Sequence, residues 1–289
     1  MNEIPNKKVI PFQTKKFNKN SYFRCLNLGY MKYAIASSAV IPLRPEPSEK
    51  SEMLTQVMFG ECVEFFETTG NWAKVITAFD AYEGWIDKKM MIEISETEFL
   101  NLSKNVFVLP DLFAVAIDDN NTHYLLPAGS SLPGFNTADL SFLIGSKKFR
   151  LKQKPLDVDK SQRMTICNIA TSFLNSTYLW GGKNPFGIDC SGLSQVCYKI
   201  AGLPIPRDAS KQVNNGTPVS FLENSKPGDL AFFDNDESNI VHVGILLNPN
   251  KIIHASGKVR IDTIDHQGIF NNDLQKYSHK LRTIISIID

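Results

Sequence analysis

The chain has 289 residues, 43% of them hydrophobic and 21% charged, with a formal net charge of +1. That composition supplies ample material for a buried core, and the dispersed lysines and arginines argue against nucleic acid or a membrane surface as a partner. Five cysteines without short repeated spacing make no disulfide framework, and no Cys-x-x-Cys or His-Glu-x-x-His run offers a metal site, so neither metal nor cofactor is expected.

Residues 1–33 mix Asn, Lys and aromatics without a period and are expected to form an arm packed on the rest. They hold no apolar stretch of signal-peptide length, and no later segment reaches the ~18 apolar residues of a membrane-crossing helix. A soluble, cytoplasmic, monomeric protein is expected, exported only if a leader has been removed. Over 34–95 short apolar runs such as Ala39-Val-Ile-Pro-Leu43, Cys62-Val-Glu-Phe-Phe66 and Trp72-Ala-Lys-Val-Ile-Thr77 alternate with turn residues, the texture of a small β barrel. Over 96–155 the pattern repeats less cleanly, with Val106-Phe-Val, Phe113-Ala-Val-Ala-Ile117 and His123-Tyr-Leu-Leu126 as strands and Asp118-Asp-Asn-Asn121 as a turn. This predicts a second small β domain, followed by a polar linker over 152–159.

From about residue 160 to 289 the texture changes. Ser161 opens a helix carrying Ile166, Ile169, Ala170 and Phe173 at helical spacing. Tyr178-Leu-Trp-Gly-Gly-Lys-Asn-Pro-Phe-Gly187 cannot be helical, but Leu193, Val196, Cys197 and Ile200 fall on one helix face. Asp189 therefore sits near an N-cap, Cys190 in the first turn, and Gly202 near the end. Strands are predicted over 241–247, 251–255, 259–263 and 283–288. Helices followed by an antiparallel sheet make an α+β domain.

A cysteine in a first helical turn is a candidate nucleophile. Unpaired N–H groups and the positive end of the helix dipole favour the thiolate, and such sites bring a thiol from about 8.5 down to roughly 3.5–7.5. Cys25, Cys62, Cys167 and Cys197 lie among apolar neighbours and read as core, as do Trp85 and Trp180. Along Val241-His-Val-Gly-Ile-Leu-Leu247, His242 and Gly244 share a face, and the glycine leaves space for something bulky such as the first turn of a helix. Asn248-Pro-Asn250 turns the chain back so that His254 can lie beside His242, provided a bulge or odd loop intervenes. His242 would be the general base and His254 the group that orients it. His123, His266 and His279 lack such context and read as surface residues.

The Tyr-x-Trp-Gly-Gly lead, Asp189-Cys-Ser-Gly192, Pro206-Arg-Asp208, Pro227-Gly-Asp-Leu230, His242-Val-Gly-Ile245 and the His254 strand resemble, in this order, the NlpC/p60 family of papain-like cysteine peptidases. The resemblance implies Cys190 as nucleophile, His242 as base and His254 as orienting group, acting on peptides of bacterial peptidoglycan. Residues 40–44, 51–61 and 82–86 look like the bacterial SH3-like domain that precedes the peptidase in γ-D-glutamyl–diamino acid endopeptidases, and 106–151 resemble, more weakly, a second one. In that subgroup Glu52, Tyr82 and Asp189 match residues that recognise the free amine of L-Ala. Tyr178 and Ser191 match other substrate contacts, and Arg207, Asp208 and Ser210 a wall of the pocket.

The expected architecture is thus two small SH3-like β barrels followed by a papain-like α+β cysteine peptidase. The expected reaction is hydrolysis of the γ-D-glutamyl–meso-diaminopimelate (or L-Lys) bond in murein tripeptides or tetrapeptides, serving peptide recycling. Two alternatives remain open: a non-catalytic protein that binds wall fragments, and an acyltransferase or amidase using the same constellation on another substrate.

Overall fold

The computed structural model describes residues 32–102, 106–159 and 161–288. The arm expected over 1–33 lies outside these residues except for Lys32 and Tyr33, which open the first strand, and Cys25 lies outside them too.

The first β domain is a five-stranded antiparallel sheet (Lys32–Ala36, Cys62–Thr69, Trp72–Thr77, Glu83–Asp87 and Met91–Ile94) with a hairpin of Val40–Leu43 and Thr55–Met58 against it. Its strands alternate as their sequence requires: in Trp72–Thr77, Ala73, Val75 and Thr77 are buried while Trp72, Lys74 and Ile76 are half-exposed. Ala34, Ile41, Val57, Val63, Phe65 and Ile86 complete the core. The second domain pairs Phe113–Asp118, His123–Pro127, Ser141–Ile144 and Lys147–Leu151 in one sheet, and Val106–Val108 with Ser131–Pro133 in another. Its core, built on Leu126, Leu132, Phe142 and Phe149, also takes in Ile35 and Phe59 of the first domain. The two barrels are thus packed together through apolar side chains.

In the C-terminal domain the helix Gln162–Ser172, capped by Ser161, packs with the helix Cys190–Ile200 against one face of a seven-stranded antiparallel sheet. The strands are Thr217–Val219, Leu230–Asp234, Ile240–Asn248, Lys251–Ser256, Lys258–Ile264, Gly268–Asn271 and Lys276–Ser286. The last is longer than the sequence pattern indicated, because its first half is exposed and polar; that half pairs with Gly268–Asn271 and its second half with Leu230–Asp234. The six strands from Leu230 onward therefore close into a ring. Leu230, Phe232, Val243, Ile245, Ile253 and Ala255 point outward to the helices. Ala231, Phe233, Leu246, Ile252, Ile264 and Ile269 fill the inside.

The three domains meet at buried polar contacts. Lys199, on the Cys190 helix and 3% exposed, donates to Glu61 of the first domain at 2.5 Å and to Gly129 O and Ser131 Oγ of the second at 2.7 and 3.1 Å. Lys183 stands 4.0 Å from the same Glu61 carboxylate. Burial pushes the Glu61 pKa up, but the two lysines outweigh it and the group stays ionised. Gln56 accepts the Lys183 N–H (2.8 Å) and Asn184 Nδ2 (2.9 Å), and Asp80 accepts from Gln195 at 2.8 Å. Lys199→Met should cost about 3–5 kcal/mol, because it strands a buried carboxylate and two acceptors, and the loss is read as a lower denaturant midpoint. A midpoint equal to that of the parent would show that the contact does not hold the domains together.

Candidate active site

Leu179 to Gly182 forms a tight turn closed by the Gly182 N–H on Leu179 O at 2.9 Å. Gly181 holds φ +76°, and a Cβ there would meet Met53 O at 2.4 Å, so the loop carrying Glu52 lies directly on this turn. The turn throws Trp180 outward, 61% exposed, contrary to its expected place in the core; Trp85 is buried. Two short strands, Lys183–Asn184 and Gly187–Ile188, then deliver the chain to Asp189.

Asp189 is the N-cap of the Cys190–Ile200 helix, and its Oδ1 accepts the Gly192 N–H at 2.7 Å. Its Oδ2 accepts the Gly181 N–H at 2.8 Å. Arg207 adds two bonds, Nη1 to Oδ1 at 3.0 Å and Nη2 to Oδ2 at 2.6 Å. The carboxylate expected at a substrate amine is thus filled by donors of the protein itself. Arg207, expected in a pocket wall, is 3% exposed and also donates to Ser191 Oγ and to Thr55 Oγ1, both at 2.7 Å. Ser191 is buried in the same network.

Cys190 is buried at the helix start, and its sulfur takes the Val243 N–H and the Ser191 N–H. The thiol therefore touches the strand at the peptide joining His242 to Val243. Its pKa moves opposite to the expectation for a helix start: burial, then the Asp189 charge, pushes it up to about 11. Burial, then the His254 and His279 rings, holds His242 well below the usual histidine value. Both directions favour a neutral thiol beside a neutral imidazole at rest. Tyr178 is half-buried, and burial, then the Cys190 and Asp189 charges, pushes its phenol up to about 12.

His242 and His254 share the inward face of the ring. The register Ile245↔Ile253, with an irregularity between Leu246 and Asn248, supplies the bulge their alignment requires. A Cβ on Gly244 would meet Ile252 Cδ1 at 2.6 Å and His254 Cβ at 3.0 Å, so this glycine makes room for the neighbouring strand and not, as expected, for the helix. His242 Nε2 lies 2.8 Å from His254 Nδ1, and His254 Nε2 lies 3.0 Å from Asp262 Oδ2.

Two residues of this cluster were not singled out from the sequence. Asp262 is the buried end of the hydrogen-bond chain; its signal was the inward alternation of Val-Arg-Ile-Asp-Thr-Ile264, whose register sets Ile252↔Asp262 and so places Asp262 diagonal to His254. His279, expected at the surface, stacks on His242 with ring centroids 4.1 Å apart and planes at 23°, and burial pushes its pKa down to about 4. Only ring closure brings it there, and no local pattern records that. His123 and His266 are exposed. The ligating nitrogens of His242, His254 and His279 lie within 4.8 Å of one another, a donor set that suits a transition metal. Two of the three rings are already joined to each other and to Asp262, so a metal would have to displace that chain.

At the seam with the first domain, Glu52 is exposed, and the Tyr82 hydroxyl donates to Asp208 Oδ1 at 3.1 Å. Asp208 also pairs with Lys211 at 2.9 Å, and Ser210 is exposed on the short helix Ala209–Gln212. Of the described cysteines apart from Cys190, Cys62, Cys167 and Cys197 are buried and free.

Residues 175–277 match the NlpC/P60 family, and residues 43–90 match the bacterial dipeptidyl-peptidase Sh3 domain. The chain is 27% identical over 228 residues to a gamma-D-glutamyl-L-lysine dipeptidyl-peptidase of Bacillus cereus, covering 71% of this chain and 68% of that one. It is 24% identical over 270 residues to dipeptidyl-peptidase 6 of Lysinibacillus sphaericus, covering 83% of this chain and 95% of that one. The crystal structure of an NlpC/P60 family protein from Bacillus cereus superposes with a TM-score of 0.75 at 20% identity, over 89% of this chain and all of that one, a likeness of fold.

A neutral resting thiol predicts how Cys190 reacts. Its alkylation by iodoacetamide should rise steadily from about pH 7 to about pH 10 with the thiolate fraction. A rate already level at about pH 6 would mean a preformed thiolate–imidazolium pair and would contradict the burial argument.

Proposed function

For this chain, a cysteine-type peptidase with an NlpC/P60 domain behind a bacterial dipeptidyl-peptidase SH3 domain, we propose hydrolysis of the γ-D-glutamyl–diamino acid bond in murein peptides that begin with a free L-Ala. The observation that carries the reading is the placing of Cys190 at a capped helix start, with its sulfur on the peptide that follows His242 and with His254 bonded behind that base. In the proposed cycle His242 removes the thiol proton as the sulfur attacks the γ-carbonyl. It then protonates the departing amine of the diamino acid. The Cys190 N–H, at the start of the helix where intrahelical acceptors are lacking, is the proposed donor to the oxyanion. Water, with His242 again as base, releases the dipeptide from the thioester.

The amine requirement rests on the domain seam. Glu52 is an exposed carboxylate on the loop whose next residue, Met53, packs against Gly181 of the turn that leads to Asp189 and Cys190, and the Tyr82–Asp208 hydrogen bond joins the two domains at the same seam. Because Asp189 is filled by Arg207 and the helix cap, Glu52 is, of the two acids that the resemblance placed at the amine, the one left to meet an α-ammonium. Such a site would reject peptides still joined to muramic acid, whose L-Ala nitrogen is an amide and carries no charge. That selectivity suits peptides already released from glycan, and recycling, in the cytoplasm, is the setting proposed for it. Diaminopimelate and L-Lys share the amine that leaves, so the reading covers both.

Two measurements test this. L-Ala-γ-D-Glu-diaminopimelate and its L-Lys counterpart should be cleaved and their N-acetyl forms resisted, with Cys190→Ala lowering kcat by at least about 10³-fold; no turnover of either free peptide would end the peptidase reading for this substrate class. Glu52→Gln should lower kcat/KM on the free peptide by about 10- to 100-fold, the worth of one hydrogen bond to a charged group, while leaving the slow cleavage of the N-acetyl peptide unchanged. Equal losses on both peptides would remove Glu52 from amine recognition.

A further inference from the structure

The hydrogen-bond chain behind the base does not stop at His254, and its far end dictates where every proton in it lies. Asp262 is 3% exposed and points into the ring. Burial alone would raise its pKa, but hydrogen bonds from His254 and Arg260 hold it below the usual carboxylate range, so it is an acceptor only. His254 Nε2, at 3.0 Å, must therefore carry a proton. In its neutral form His254 has one N–H, so with Nε2 protonated its Nδ1 is bare and accepts. His242 Nε2, 2.8 Å away, is then the donor. What remains unprotonated is His242 Nδ1.

We propose that Asp262 is a positioning residue that, through His254, fixes the tautomer of His242 and so presents Nδ1 as the base for Cys190. The inference rests on the peptidase reading for its consequence, but its geometry holds without a substrate. The same chain also suits the imidazolium form of His242, whose Nε2–H keeps its acceptor when Nδ1 gains the thiol proton. Asp262 is itself held from two positions earlier on the same strand. Arg260 Nη2 donates to Oδ1 at 2.8 Å and lies 2.9 Å from Asp273, while Arg260 Nε stands 2.7 Å from Oδ2. Among the described residues, His279 also lies against these rings, stacked on His242.

Arg260 makes the prediction directional. Its aligned bond falls on Oδ1, so in Asp262→Asn the amide oxygen goes to that position and the NH2 faces His254 Nε2. His254 must then protonate Nδ1 and donate to His242 Nε2, which drives the His242 proton onto Nδ1, the wrong nitrogen. The shape of the site is unchanged but the base is lost, as for the corresponding amide substitution in serine peptidases.

The test is ¹⁵N-histidine NMR of the full chain beside kinetics on the free murein tripeptide. In the parent protein both His242 and His254 should be protonated on Nε2, and in Asp262→Asn both on Nδ1. The variant should lose at least about tenfold in kcat, with KM changed less than about twofold, which a loss of fold would not produce. Parent rings protonated elsewhere, a variant with parental kcat, or lost activity with unshifted tautomers would each overturn the proposal. If Asp262→Asn does not fold, the parent tautomers decide alone. If the protein cleaves no murein peptide, the NMR result is unaffected, so the two failures are told apart.

Discussion

One ammonium group, that of Lys199, sits where three domains meet. It lies on the same helix as Cys190, between a carboxylate from the first barrel and a carbonyl and a hydroxyl from the second. Burying a charge is tolerable only when its donors are all used, and here its three ammonium hydrogens have three acceptors. The position of the helix that carries the thiol is consequently tied to both barrels through this contact. Arg207 works in the same way from the other end, clamping the helix cap while touching Thr55. The seam that would bind substrate is thus stiffened by ion pairs on both sides.

Charge placement also separates holding from reacting. The buried ion pairs Glu61–Lys199 and Asp189–Arg207 are structural, whereas the proposed reacting pair, Cys190 and His242, is buried with both pKa values pushed toward the neutral forms. A neutral thiol and imidazole avoid the cost of keeping an ion pair in a dry site, and in the proposed reaction charge would develop only as the sulfur attacks. The hydrogen bonds from Val243 and Ser191 would then strengthen as the thiol proton leaves and the sulfur gains negative charge.

The setting of Cys190, the proposed nucleophile, was legible in the sequence because it is local. Glycines that forbid helix, an acid that caps one and apolar residues at helical spacing all lie within a few turns of Cys190. His242 and His254 were legible because a hairpin joins them. Asp262, one strand further on, was hidden in an ordinary alternating pattern, and His279 lies 37 positions after His242 in an exposed-looking polar run whose place is fixed only by closure of the ring. Trp180 was misread because hydrophobicity alone suggests burial, whereas the turn at Gly181 turns it out. The pKa of Cys190 was misread for a related reason: a helix start stabilises an anion, but the sequence does not say how completely the neighbouring strand covers it.

Closure of the strand ring has a consequence for how the molecule behaves in company. An open antiparallel sheet offers its outermost strands as templates on which another chain can add. Here six strands are each paired on both sides, and the border left over is Thr217–Val219, three residues with Pro218 in the middle. A proline has no amide hydrogen to give, so that border is too short and too poor in donors to recruit a foreign strand. Among the described residues, the sheet of this domain therefore leaves only this short, proline-interrupted border on which an added strand could build.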